Sequence, residues 1–195
     1  QLIERRYAER LDDDGREFIA FAVAGAHRLR ALIEGLLAYS RAGTRSLARE
    51  DVDLNEILSQ VKRDLAAALA DTGAEVTCAD LPIVRGDAIQ LAQLFQNLIG
   101  NALKFHGDAR PDVTISAEQA DTVWRIKVED KGIGIEPRDH ERIFGLFSRL
   151  HAVGAYPGAG IGLAICRRIV ERHQGAIEVD SVPGEGTTFT ITLPG

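Results

Sequence analysis

The chain has 195 residues, of which 45% are hydrophobic and 27% charged, and its net charge is −6. This composition is typical of a soluble globular protein, and the length suffices for one ordinary domain plus an appendage. The acidic balance argues against a general nucleic-acid binder, and no apolar run reaches the roughly 18 residues of a membrane span, so we expect neither nucleic acid nor membrane contact.

The longest helical pattern covers residues 13–42 and follows the helix-initiating aspartates 12–14. Seven of its positions are spaced alternately by four and three residues, the 3.5-residue period of a coiled-coil seam. They are Phe18, Ala22, Gly25, Leu29, Leu32, Leu36 and Tyr39. Because the stub at residues 1–10 is too short to cover this seam, residues 1–45 are interpreted as the C-terminal part of a helical hairpin. The uncovered seam implies upstream sequence, a second chain or both, and it predicts a homodimer.

Residues 46–195 are assigned to a second domain that mixes helices and strands. Helices are predicted after Asp53 and Asp87, with capping-box partners at Glu56 and Gln90, and over residues 160–173. Strands are predicted at 75–78, 112–117, 122–129, 176–181 and 187–193. Strands with one polar face beside amphipathic helices predict an α+β fold, a two-layer α/β sandwich.

The helix after Asp87 carries three polar side chains on one narrow stripe. Asn97, Asn101 and Lys104 lie within about 60° of one another at 100° per residue. An amide oxygen suits Mg²⁺, and a lysine one turn away can meet phosphate charge. A solvated polar face would explain the stripe equally well, so both interpretations stay open.

Asp130 lies two residues after Val128, in the same alternation as the apolar residues of strand 122–129. It therefore continues the buried face of that strand. A buried carboxylate needs a hydrogen-bond donor, and the exocyclic amine of adenine is one. Gly132 and Gly134 would let the backbone turn close to a planar base. The alternative is a tight turn capped by Asp130.

Two glycine-rich segments complete the motifs. Residues 158–163 (GAGIGL) open a helix whose N-terminal N–H groups could bind an anion, although a flexible loop is the alternative. Their spacing is not that of a dinucleotide-binding fold, and no P-loop sequence occurs. Residues 184–189 (GEGTTF) are explained by a hairpin turn without any function.

In this order and spacing, these segments resemble the sequence motifs of sensor histidine kinases. The matching segments are an N box at 97–105, a G1 box at 130–135, an F box at 143–149, a G2 box at 158–163 and a third glycine motif at 184–189. The resemblance covers roughly residues 50–195 and implies the sandwich of the histidine-kinase, gyrase and chaperone ATPases. The F box and a short lid between Arg149 and Pro157 favour the kinase branch. Residues 4–19 and 156–158 look closest to phytochrome-like kinases, and residues 36–41 resemble the end of the dimerisation and phosphotransfer hairpin. This resemblance implies a homodimeric four-helix bundle.

The resemblance implies a site for ATP and Mg²⁺. Asn101 would bind Mg²⁺, with Asn97 assisting near the phosphates. Lys104 would contact phosphate and Arg149 would approach the γ-phosphate, while Asp130 would hold the adenine amine. Asn97, Lys104 and Arg149 would be the catalytic residues. The rest of the implied ATP site is Phe105, Gly132, Gly134, Ile135, Gly158, Gly160, Gly162, Leu163 and Thr188.

The implied reaction is transfer of the γ-phosphoryl group to a histidine and then to an aspartate of a response-regulator receiver domain. In the family, the acceptor histidine lies on the first hairpin helix, followed by an acidic residue. The histidines of this chain lack that context and are expected at the surface: His27, His106, His140, His151 and His173. Since residues 1–12 contain no His, we expect the acceptor upstream of Gln1, in a longer protein.

Two alternatives remain from the sequence. The chain could be a non-catalytic nucleotide-binding and dimerisation module, in which ATP only sets the conformation. It could also be an ATPase that drives a clamp, but those enzymes place a glutamate base where this chain has Asn97. Cys78 and Cys166 lack metal-type spacing and are expected to be buried small side chains in a reducing cytoplasm.

Overall fold

The computed structural model describes residues 12–44, 48–150, 156 and 158–195. Its helices are α1 (Asp13–Thr44), α2 (Leu54–Asp64), α3 (Ala66–Thr72), α4 (Ala88–Lys104) and α5 (Gly162–Arg172). Its strands are β1 (Glu50–Asp53), β2 (Glu75–Cys78), β3 (Ile83–Gly86), β4 (Asp112–Ala120), β5 (Val123–Asp130), β6 (Ala176–Val182) and β7 (Gly186–Pro194). Short 3₁₀ turns form at Pro137–Asp139 and Arg142–Phe144. None of the helices in these ranges is long and apolar enough to cross a membrane.

The five-stranded sheet runs in the order β2-β4-β5-β7-β6. The β2–β4 pair is parallel and the other pairs are antiparallel. One face packs against the helices through a core that includes Leu94, Leu98, Ile126, Ile169 and Ile191, each at most 1% exposed. The predicted two-layer sandwich is therefore confirmed, and its sheet is mixed.

A second, two-stranded sheet was not predicted from the sequence. β1 pairs with β3 in antiparallel register, with Val52 opposite Val84. Directly after β1, the Asp53 carboxylate accepts the backbone N–H of Asn55 at 2.8 Å and caps α2, as predicted. This small sheet holds in place the segment that leads into α2 and the sandwich.

Two details of the predicted helices differ in the structure. The helix after Asp53 breaks at Leu65 into α2 and α3 before it ends at Gly73, whose φ is 65°. The Asp87 carboxylate caps α4 by accepting the N–H groups of Ile89 and Gln90. The side chain of Gln90 is buried and has no hydrogen-bond partner among the described residues, so the reciprocal half of that capping box does not form.

The long helix α1 is divided between exposed and packed apolar residues. Phe18 and Leu29 of the predicted seam are 72% and 62% exposed, whereas Leu32 and Tyr39 pack against the core of the sandwich. At Gly35 a Cβ atom would lie 2.6 Å from the Cδ1 atom of Ile161, so the glycine permits this close packing. The homodimeric four-helix bundle stays a prediction. The predicted first hairpin helix lies outside the described residues.

Candidate functional site

One cavity of about 420 Å³ lies where α4, α5 and the end of the sheet meet. It collects most of the residues that the motifs predicted. The predicted residues that line it are Asn97, Asn101, Lys104, Phe105, Asp130, Gly134, Ile135, Arg149, Gly158, Gly160, Gly162 and Leu163. These residues come from helices, a strand end and loops up to 66 positions apart (97 to 163), so it is the fold that brings them together.

Asp130 lies at the inner end of the cavity, where β5 leaves the sheet. Its carboxylate accepts the backbone N–H of Gly132 at 2.9 Å and a backbone N–H bond from Thr187. Burial raises the pKa of this carboxyl above its ordinary value, and the two backbone donors partly offset the rise. The carboxylate is therefore a partly buried acceptor that is already oriented by the backbone.

Gly132 and Gly134 support this end by allowing close backbone contacts. Gly132 does not line the cavity; a Cβ atom there would overlap the Phe105 carbonyl, and its N–H holds Asp130. Gly134 has φ of 69°, and a Cβ atom there would overlap the carbonyl of Val182. The glycines thus bring the turn after β5 against α4 and β6.

The outer end of the cavity carries two cationic side chains. The Nζ atom of Lys104 lies 4.3 Å from the centre of the Phe105 ring, and the guanidinium of Arg149 donates to the carbonyl of Tyr156 at 2.9 Å. Burial, and then the nearby charge of Arg149, lowers the pKa of Lys104. The Nδ2 atom of Asn97 is buried beside the thiol of Cys166 and is not exposed to the cavity. The two cationic groups favour a ligand that brings negative charge and acceptor oxygens.

The glycine loop before α5 adds backbone donors to the same end. Gly158 and Gly160 have φ of 136° and 70°, which residues with a side chain rarely adopt. Among the described residues no side chain caps α5 at Ile161, and the N–H groups at the start of a helix suit an anion. A metal ion beside that anion would find the amide oxygens of Asn97 and Asn101. Among the described residues no cluster of three or more His, Cys, Asp or Glu could hold one.

The predicted Thr188 does not line the cavity. Side chains alternate along β7, so Thr187 and Phe189 face the helices and line the cavity, whereas Thr188 lies on the opposite face of the sheet. Sequence reasoning also missed Ser181, whose hydroxyl contacts Thr187. The alternation of apolar residues in β7 could have pointed to Thr187, but no local signal marks Ser181.

The predicted surface position of the histidines is wrong for His173. It is 3% exposed, its Nε2 atom accepts the N–H of Asp87 at 3.0 Å, and its Nδ1 atom donates to the carbonyl of Ile169 at 2.8 Å. His27 is exposed, His106 and His140 are half-buried, and His151 lies outside the described residues. Of the two cysteines, Cys166 is buried as expected, but Cys78 is exposed.

Comparison with known proteins gives a consistent result for this region. The family model described as "Histidine kinase-, DNA gyrase B-, and HSP90-like ATPase" matches residues 86–195. Over 194 residues the chain is 43% identical to "Phytochrome-like protein Cph1" of Synechocystis sp. and 45% identical to "Cyanobacterial phytochrome A" of Nostoc sp.. All of this chain is covered in both alignments, but only 26% and 25% of those two proteins. The chain therefore spans about a quarter of these relatives.

Solved structures show the same similarity. Full-length ShkA in complex with AMPPNP has a TM-score of 0.72 and 30% identity, covering 94% of this chain and 39% of that one. The histidine kinase ThkA in complex with the response regulator TrrA has a TM-score of 0.73, covering 97% of this chain and 55% of that one. At 24% identity, the second likeness shows the fold alone.

Proposed function

Because the chain belongs to the family of histidine kinase-, DNA gyrase B- and HSP90-like ATPases, we propose that it is the ATP-binding catalytic part of a sensor histidine kinase. The observation that carries this proposal is the polarity of one cavity. An acceptor at Asp130 closes its inner end, and Lys104, Arg149 and the N-terminus of α5 form its outer end. A nucleoside triphosphate has the matching polarity, with an amine on its base and negative charge on its phosphates.

The proposed roles follow from these positions. Asp130 accepts the adenine amine, and the ring of Phe105 packs beside the base. Lys104 and the N–H groups at the start of α5 bind the phosphates. Asn101 would hold Mg²⁺ through its amide oxygen, and Asn97, which also lines the cavity, would assist beside the phosphates. Bound there, the metal ion would supply positive charge to the phosphate oxygens.

The proposed reaction is phosphoryl transfer to an imidazole. A histidine nitrogen attacks the γ-phosphorus, the bond from phosphorus to the bridging oxygen breaks, and ADP leaves while the imidazole N–H proton passes to solvent. The guanidinium of Arg149 stabilises the charge on the transferred group, after it exchanges the Tyr156 carbonyl for the phosphate. The acceptor histidine belongs to an upstream helix, because the histidines of this chain lack the acceptor context.

The proposed partners are a second copy of the chain and a receiver domain. The exposed seam residues Phe18 and Leu29 on α1 support a homodimer, since such large apolar side chains are normally covered. The resemblance to sensor histidine kinases implies a response-regulator receiver domain as the protein that takes the phosphoryl group. We propose a cytoplasmic location for both steps.

The test is to incubate the full-length gene product with radiolabelled Mg-ATP and to measure protein-bound phosphate. We expect phosphate that is labile in acid and stable in base, as phosphohistidine is. Arg149→Ala should abolish it, while Arg125→Ala, on an exposed part of β5, should not. ATP binding without any phosphoprotein would contradict the kinase assignment and favour the non-catalytic module.

A further inference from the structure

Ser181 is a buried hydroxyl that contacts three groups at the inner end of the cavity. Its Oγ atom lies 2.7 Å from the carbonyl oxygen of Gly186, 3.0 Å from the Oγ1 atom of Thr187 and 2.9 Å from the backbone nitrogen of Ile135. Thr187 and Ile135 line the cavity, so Ser181 lies directly behind its wall.

These contacts decide which atoms donate. A serine hydroxyl has one hydrogen and two lone pairs. The Gly186 carbonyl can only accept, so Ser181 gives its hydrogen there. The N–H of Ile135 can only donate, so it occupies one lone pair of Ser181. The remaining lone pair accepts the hydroxyl hydrogen of Thr187.

The Thr187 hydroxyl therefore has no hydrogen left for a ligand and presents only lone pairs. In the adjacent strand position, the carboxylate of Asp130 is held by two backbone N–H groups and also accepts. The inner end of the cavity thus offers acceptors from two neighbouring side chains. A ring edge with a primary amine, which has two hydrogens, satisfies them directly or through a water.

We propose that Ser181 is a positioning residue that fixes the Thr187 hydroxyl as an acceptor and thereby makes the site selective for a 6-amino purine. This inference rests on the proposed nucleotide function and names what sets its base specificity. Ser181 does not contact the base; it acts through Thr187. A base without the amine leaves both acceptors unpaired, which a buried site tolerates poorly.

The experiment compares the affinities of ATP and purine riboside triphosphate, which is ATP without the 6-amino group. Wild-type protein should prefer ATP by about tenfold or more, as expected for loss of hydrogen bonds to buried groups. In Ser181→Ala, the Thr187 hydroxyl loses its acceptor, turns, and can donate to the ring nitrogen of the analogue. The ratio of the two affinities should therefore fall several-fold, beyond any common loss of affinity.

Thr187→Val provides a second route, because valine has nearly the shape of threonine but no hydroxyl. It should also lower the ratio, and adding Ser181→Ala to it should produce no further change in the ratio. Thr190→Val, on the same strand but facing away from the helices, is the matched control and should leave the ratio unchanged.

The outcomes separate the two proposals. If neither nucleotide binds to folded wild-type protein, the nucleotide function fails. If ATP binds but the ratio is the same in wild type, Ser181→Ala and Thr187→Val, the nucleotide function stands and the specificity role of Ser181 is overturned. A loss of affinity that is equal for both nucleotides would mean that Ser181 only supports the turn at Ile135.

Discussion

The two ends of the cavity are built in different ways. At the inner end, Asp130, Ser181 and Thr187 are tied to backbone groups and to one another before any ligand binds. At the outer end, the Nζ atom of Lys104 lies over the Phe105 ring and Arg149 donates to the Tyr156 carbonyl. The inner end is organised by the fold, while the two cations of the outer end face weak acceptors among the described residues.

This difference indicates a division of work between recognition and chemistry. The inner end can bind a base with little reorganisation, so substitutions there should change the affinity for every ligand that carries that base. The cations of the outer end gain most when a phosphate group binds beside them, so substitutions there should change phosphate binding and phosphoryl transfer.

Arg149→Ala should lower the rate of phosphoryl transfer in the full-length gene product by about 10³-fold, the low end of what an arginine at the transferred group contributes. Affinity for ATP should change far less, because the guanidinium acts mainly on the transition state. Single-turnover transfer and equilibrium binding, measured on the same preparation, check this. Equal losses in both would place Arg149 in binding rather than in chemistry.

Asp130→Asn should weaken ATP and adenosine alike, by about 30-fold, since a hydrogen bond to a buried charge contributes about 2 kcal/mol. The pKa of this carboxyl is raised by burial, so its charge opposes folding at neutral pH and the variant should melt no lower than wild type. Titration calorimetry and thermal unfolding check the two statements. A variant that binds adenosine normally would remove Asp130 from the base site.

Lys104→Gln should weaken ATP by about tenfold and leave adenosine unchanged, because the ammonium meets only phosphate. Burial lowers the pKa of Lys104, so its charge is lost at a pH below the ordinary 10.5. The ATP affinity of wild type should therefore fall as pH rises toward 10.5, whereas that of the variant should not show this component. Affinities measured across alkaline pH would reveal it, and an equal loss of adenosine binding would contradict the division.

His173→Phe should lower the free energy of unfolding by about 1–3 kcal/mol, because it leaves the Asp87 N–H without its acceptor. Burial lowers the pKa of His173, so the unfolded chain binds the proton first as pH falls below 6.5. The stability of wild type should decrease below pH 6.5 by an amount that the variant lacks. Urea unfolding at several pH values measures it, and identical pH dependence in both proteins would refute it.

Local patterns predicted much of this molecule. The parity of strand 122–129 placed Asp130 correctly on the buried face, and the helical stripe brought Asn97, Asn101 and Lys104 to one cavity. Both follow from periods of two and 3.6 residues, which a sequence displays directly. The resemblance implied Thr188, whereas the alternation of side chains along β7 places Thr187 and Phe189 at the cavity instead.

Features that depend on distant partners were not predictable. His173 is buried because Asp87, 86 positions away, donates to it, and its local sequence resembles that of a surface residue. The pairing of β1 with β3 joins residues that are 36 positions apart at Glu50 and Gly86 and 30 apart at Asp53 and Ile83. The role of Ser181 depends on three contacts that only the folded chain assembles.

The most direct test of the account is a calorimetric titration of Mg-ATP into the chain, repeated in the presence of saturating adenosine. The account predicts saturable binding at one site per chain, with adenosine competing for it because both ligands use the inner end. A chain that is folded by circular dichroism but binds no ATP at millimolar concentration, or binds it without competition from adenosine, would contradict it.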